Sequence, residues 1–114
     1  MTREQAEKFA LKHYSEHVGK FLLVDYVLGY VNDDTVDVAC DPPVVVQVQQ
    51  TGEHSVLHWN DEWLDPYWDA VVVQGDAGGL TSVYIDGPSI NTKTGEITWH
   101  ARACLDPRME TANA

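Results

Sequence analysis

The sequence predicts an α+β fold: one N-terminal helix packed on a curved, mostly antiparallel sheet of about six or seven strands. Three observations carry that prediction. Apolar residues recur at helical spacing only within the first twenty positions. From Phe21 onward the pattern alternates with period two, and Gly, Pro, Asn and Asp cluster between the alternating runs. A chain of 114 residues can bury one core but not two, so residues 1–114 are expected to form a single domain.

The helix is predicted over about residues 3–18. Thr2-Arg-Glu-Gln5 fits a capping box, in which the Thr2 hydroxyl and the Gln5 side chain satisfy backbone N–H groups left over at a helix start. Ala6, Phe9, Ala10, Tyr14 and Val18 then share one side, and Gly19 is placed to stop the helix. Phe21–Val31 reads as a long strand, bulged at Gly29, with a turn at Asn32-Asp-Asp34. Thr35–Cys40 alternates and is ended by Asp41-Pro-Pro43. Val44–Gln50 puts Val44, Val46 and Val48 on one face, and Thr51-Gly52 turns the chain into Glu53–Trp59. Asn60–Asp69 reads as a loop rich in acids and aromatics. Trp68–Gln74 and Leu80–Asp86 flank GDAGG as a hairpin, and Thr94-Gly95 introduces a last strand, Glu96–Ala103. Residues 106–114 are expected to fray.

The net charge is −11, and its placement says more than its size. In residues 1–20, Arg3, Lys8, Lys12 and Lys20 nearly balance Glu4, Glu7 and Glu16; residues 93–114 balance as well. Residues 21–92 hold twelve acids and no Lys or Arg. Such a middle repels nucleic acid and anionic membrane, and steers cationic partners toward itself. A nucleic-acid binder would need Lys or Arg among its aromatics, so direct nucleic-acid binding is not expected. No apolar run reaches the roughly 20 residues that cross a bilayer. The N-terminus lacks the apolar centre and cleavage site of a signal peptide, so the expected location is the cytoplasm of a bacterium or of an infected host cell. Cys40 and Cys104, expected there as free thiols, form no CxxC motif.

His13 and His17 are four apart on the helix and project from one side, the spacing at which two imidazoles share a zinc ion. Two ligands are not a site, and HExxH is absent. Hydrogen-bonded, partly buried imidazoles are the stronger expectation, and neither metal nor cofactor is assigned. His54 and His58 repeat the spacing on a strand. GDAGGL lacks the residues of a phosphate-binding loop, and neither Cys40 nor Ser55 sits in a nucleophile signature. No catalytic residue is singled out.

The stretch NDEWLDPYWD is the exception to this plainness, with Trp63, Tyr67 and Trp68 among Asp61, Glu62, Asp65 and Asp69. Exposed Trp and Tyr anchor protein interfaces, and an acidic rim selects a basic target and speeds encounter. The expected contact surface is therefore Asp61, Glu62, Trp63, Asp65, Tyr67, Trp68 and Asp69, joined by Asp33, Asp34 and Asp37.

The segment Val83–His100, VYIDGPSINTKTGEITWH, resembles the final hairpin of YrhB-like bacterial immunity proteins, which neutralise toxins, and of PepSY domains, in its order of strand, Asp, turn, TGE and strand. A helix starting near TREQA is also similar to theirs. The shared features cover about a third of the chain, and Val44–Asp69 matches neither pattern. The resemblance implies an α+β fold and a binding rather than catalytic role, and it transfers no site residues.

The expected function is a non-enzymatic acidic inhibitor, a nucleic-acid mimic that covers the basic, nucleic-acid-binding surface of a protein such as a nuclease, toxin or CRISPR effector. Immunity proteins and phage anti-CRISPR or other counter-defence proteins belong to that class. The alternative is a small enzyme or ligand-binding domain whose pocket lies between helix and sheet, lined by His13, His17 and nearby carboxylates. A third reading is a homodimer through the aromatic patch.

Overall fold

The computed structural model describes residues 1–32, 34–50 and 56–108. Asp33, the Thr51-Gly52 turn with Glu53, His54 and Ser55, and the tail beyond Arg108 lie outside the described residues.

Helix α1 runs Arg3–His17. Its capping box is formed: the Gln5 N–H donates to Thr2 Oγ1 at 3.1 Å, and the Thr2 N–H donates to Gln5 Oε1 at 2.9 Å. Gly19 leaves the helix at φ 84°, a left-handed conformation that glycine takes without steric cost. Ala6, Ala10 and Tyr14 form the buried side. Phe9, expected in that stripe, is exposed instead, its ring stacked on His13 with centroids 5.9 Å apart.

The eight strands are β1 (Phe21–Val31), β2 (Asp34–Val48), β3 (Val56–Asn60), β4 (Trp63–Gln74), β5 (Ser82–Asp86), β6 (Ser89–Asn91), β7 (Ile97–Thr98) and β8 (Arg102–Cys104). All pair antiparallel in one sheet, so the α+β architecture is as the periodicity predicts. β2 pairs with β1, β1 with β5, β5 with β4, and β4 with β2 again. β1, β2, β4 and β5 thus close a ring, and α1 lies against β4.

Four local expectations are corrected. β2 does not stop at Asp41-Pro-Pro43 but runs through it. Val24 pairs with Val44 and Tyr26 with Ala39, so Cys40–Pro43 stand against Asp25 alone. The ladder is already interrupted there, and the prolines' missing N–H groups cost no strand bond. Gly29, expected to bulge, pairs in register with Val36; the irregularity lies at Asp25, with the extra residues on β2. The stretch read as a loop is the β3–β4 hairpin, with Asn60 paired to Trp63 across Asp61 and Glu62. Residues 106–108 are not frayed: Pro107 is buried, and the Arg108 guanidinium lies 5.6 Å from the centre of the Phe21 ring.

The main core joins Tyr14 to Leu22, Val27, Val44, Val46, Val48, Trp68, Val83 and Ile85, with Trp99 packed against it. Burying each large apolar side chain is worth about 1.5–3 kcal/mol. Cys40 is a buried thiol within this core. A smaller cluster of Ala6, Ala10, Leu64 and Ile90 seats the start of α1. No helix among the described residues is long and apolar enough to cross a membrane.

Candidate partner-binding face

Alternation along β4 splits its residues between two environments. Leu64, Pro66, Trp68 and Ala70 are buried against the core, while Trp63, Asp65, Tyr67 and Asp69 lie half-buried on the outer face. β5 behaves likewise, with Val83 and Ile85 inside and Tyr84 and Asp86 outside. Pairing then sets rings beside carboxylates. Tyr67 stands opposite Asp86, and Asp69 opposite Tyr84. Leu28 lies between Tyr84 and Asp37. On the other side of β4, His58 stands opposite Asp65.

Two grooves run over this face. The first, about 510 Å³, is lined by Asp25, Tyr26, Trp63, Asp65, Asp86 and His100, among others. It opens where β1 and β5, which meet only at Leu28 and Tyr84, diverge. The second, about 430 Å³, is lined by Tyr26, Tyr30, Asp37, His58, Tyr67 and Tyr84. Neither lining contains Lys or Arg. Ser89 Oγ donates to Asp65 Oδ1 at 2.7 Å and fixes that carboxylate in the first groove.

The electrostatics follow from crowding anions on partly desolvated ground. Tyr26 is pushed up to about 12, first by burial and then by its hydrogen bond to the Asp37 carboxylate. Burial also raises Tyr67, helped by Asp86, Asp65 and Asp37, and raises Tyr84, helped by Asp69. These phenols stay protonated at neutral pH and present donors. Asp86 reaches solvent, yet the groove walls partly desolvate its carboxylate, and this lifts its pKa above the usual carboxylate range. Asp65 and Asp37 add to the rise, while His100 opposes it. Burial raises Asp69 as well.

Among the described residues none of these acids forms an ion pair with Lys or Arg. The ion pairs among the described residues join Lys8 to Glu4, Lys12 to Glu16 and Arg108 to Asp106, all outside residues 21–92.

The structure gathers Trp63, Asp65, Tyr67, Asp69 and Asp37 of the expected contact residues on one face. Asp61 and Glu62 are exposed at the tip of the β3–β4 hairpin, beside Asn60 and Trp63 of the first groove. Asp34 is exposed at the start of β2, next to Thr35 of the second. Asp33 lies outside the described residues. Trp68 is a correction: it is wholly buried, on the inward side of β4, and cannot meet a partner. Tyr26, Tyr30, Tyr84, Asp25, Asp86 and His100 belong to the face and were missed. The alternation in SVYIDG would have found Tyr84 and Asp86; the bulge that turns Asp25 and Tyr26 outward depends on pairing with β2 and has no local signal.

The pocket expected between helix and sheet is filled. His13 and His17 stack with ring centroids 4.4 Å apart, against Trp68 and Trp99 at 4.9–5.7 Å. No residue of α1 lines either groove. No three His, Cys, Asp or Glu side chains among the described residues are grouped to hold a metal ion. Trp59 ties α1 to β3, its indole N–H donating to Glu7 Oε1 at 2.9 Å while Arg3 covers its ring at 4.5 Å. GDAGG is the β4–β5 turn, where Asp76 accepts from the Gly79 N–H.

No family model, curated protein or solved structure matches this chain.

Proposed function

We propose that the protein is a non-enzymatic inhibitor that lays its anionic, tyrosine-rich sheet face on the basic, nucleic-acid-binding surface of another protein. One observation carries the reading. Asp37, Asp65, Asp69 and Asp86 share a face with Trp63, Tyr26, Tyr67 and Tyr84, and no ion pair among the described residues neutralises them. Carboxylates held this way raise their own electrostatic cost, and a cationic partner relieves it. The rings supply amphipathic contact area at little entropic cost, as interface anchors do. The phenol donors and carboxylate acceptors, alternating across strands, match the hydrogen bonding of Arg and Lys side chains. The resemblance of Val83–His100 to the final hairpin of YrhB-like immunity proteins supports a binding rather than a catalytic role.

The test is capture from lysate with wild-type protein and with the Asp65→Lys/Asp86→Lys variant. The reading expects basic, nucleic-acid-binding proteins on the wild type, displaced by double-stranded DNA and absent from the variant. Equal capture by both proteins, or capture that DNA does not displace, would refute it.

A further inference from the structure

The inner side of β4 carries chemistry of a different kind. His13 and His17, one turn apart on α1, are the only imidazoles placed between the helix and the sheet among the described residues. Both rings pack on Trp68 and stand edge-on to Trp99, so the C-terminal part of the helix rests on an aromatic seat. His13 Nδ1 is buried with no hydrogen-bond partner among the described residues. His17 Nδ1 lies 2.7 Å from the His13 carbonyl, which can only accept, so His17 carries its proton on that nitrogen.

We propose that His13, stacked on His17, forms an acid-operated latch that holds α1 on the sheet at neutral pH and releases it when the His13 imidazole takes up a proton. Charging His13 would place a cation in a desolvated aromatic seat, 4.4 Å from a second imidazole. Among charged groups, His17 opposes that protonation and Glu16 favours it, and both belong to α1. Facing it are Trp68 of β4 and Trp99 of the segment between β7 and β8, which are neutral and offer no carboxylate to receive the charge. Burial is the largest cause lowering the pKa of His13 below its ordinary value, with His17 next. A base whose folded pKa is lowered contributes stability that is complete above the unfolded value of about 6.5 and is lost as pH falls below it. The rest of the core does not run through these rings: Leu22, Val27, Val44, Val46, Val83 and Ile85 pack within the sheet. The helix is therefore the part expected to open first.

Amide hydrogen exchange of the whole chain at about pH 7.5 and about pH 5, corrected for intrinsic rates, tests the latch. The expected result is a loss of protection over residues 3–17 of about tenfold on acidification, with β4 and β5 still protected. His13→Phe, which keeps an aromatic ring but no titrating group, is expected to abolish that loss. Unchanged protection of α1 in the wild type would overturn the proposal. So would an equal loss in His13→Phe, or opening of β4 and β5 in step with α1. Should His13→Phe fail to fold, the wild-type profile across the helix and the two strands decides.

Discussion

The two sides of β4 differ as sharply as two regions of one small protein can. Inward, Leu64, Pro66, Trp68 and Ala70 are sealed in the core; outward, Trp63, Asp65 and Tyr67 line the grooves and Asp69 stands opposite Tyr84. Twelve consecutive residues thus hold one tryptophan that builds the fold and another that builds a surface. Aromatic content alone does not separate an anchor from a core residue. Parity along a strand does, because it decides which environment each ring meets.

The largest effect expected from that comparison is on stability. Trp68→Ala should cost about 3–5 kcal/mol through the cavity it leaves, whereas Trp63→Ala should cost far less and weaken partner binding instead. Chemical denaturation of the two variants checks this; similar losses would erase the distinction between the faces. Next in size is charge reversal at Asp37, Asp65 and Asp86, expected to slow association with a basic partner by roughly 10 to 1000-fold at low salt and little at high salt. Stopped-flow mixing at two ionic strengths measures it. A salt-independent effect would mean that shape, not field, does the selecting.

Asp86→Asn sharpens the comparison in the opposite direction. Because the folded pKa of Asp86 is raised, the native state carries an unfavourable charge at neutral pH, and the wild type gains stability as pH falls through that raised value toward the unfolded one of about 3.9. The variant should therefore have a higher Tm at neutral pH, a flatter acid profile, and weaker partner binding. A gain in stability together with a loss in binding is the mark of a residue kept for function. A lower Tm would show that the carboxylate serves the fold. The smallest effect belongs to Tyr26→Phe, which removes the hydrogen bond to Asp37 and should cost about 0.5–1 kcal/mol.

Much of this fold is legible in the sequence wherever the signal is local. The capping box of α1, the apolar run of β1 and the GDAGG hairpin each carry their own signature over a few residues. β2 was not, because its passage through Asp41-Pro-Pro43 depends on β1 skipping a position opposite. β4 was masked by its own composition. Carboxylates and Pro66 read as loop, yet Pro66 stands opposite Leu57 on one strand edge and its carbonyl accepts from Gly87 on the other. The site was legible only in part for the same reason. NDEWLDPYWD named half of the face, and the other half arrives from β1, β2 and β5 through pairings between distant residues.

The location of charge, rather than its amount, is what the account stands on. It is measured most directly by titrating an oligoarginine peptide into two charge-matched triple variants. One carries Asp37→Asn, Asp65→Asn and Asp86→Asn on the outer face; the other carries Glu4→Gln, Asp41→Asn and Glu96→Gln elsewhere on the surface. Loss of binding in the first and near wild-type binding in the second is the predicted result. Equal weakening of both would show that the peptide senses only net charge and that the face is no site.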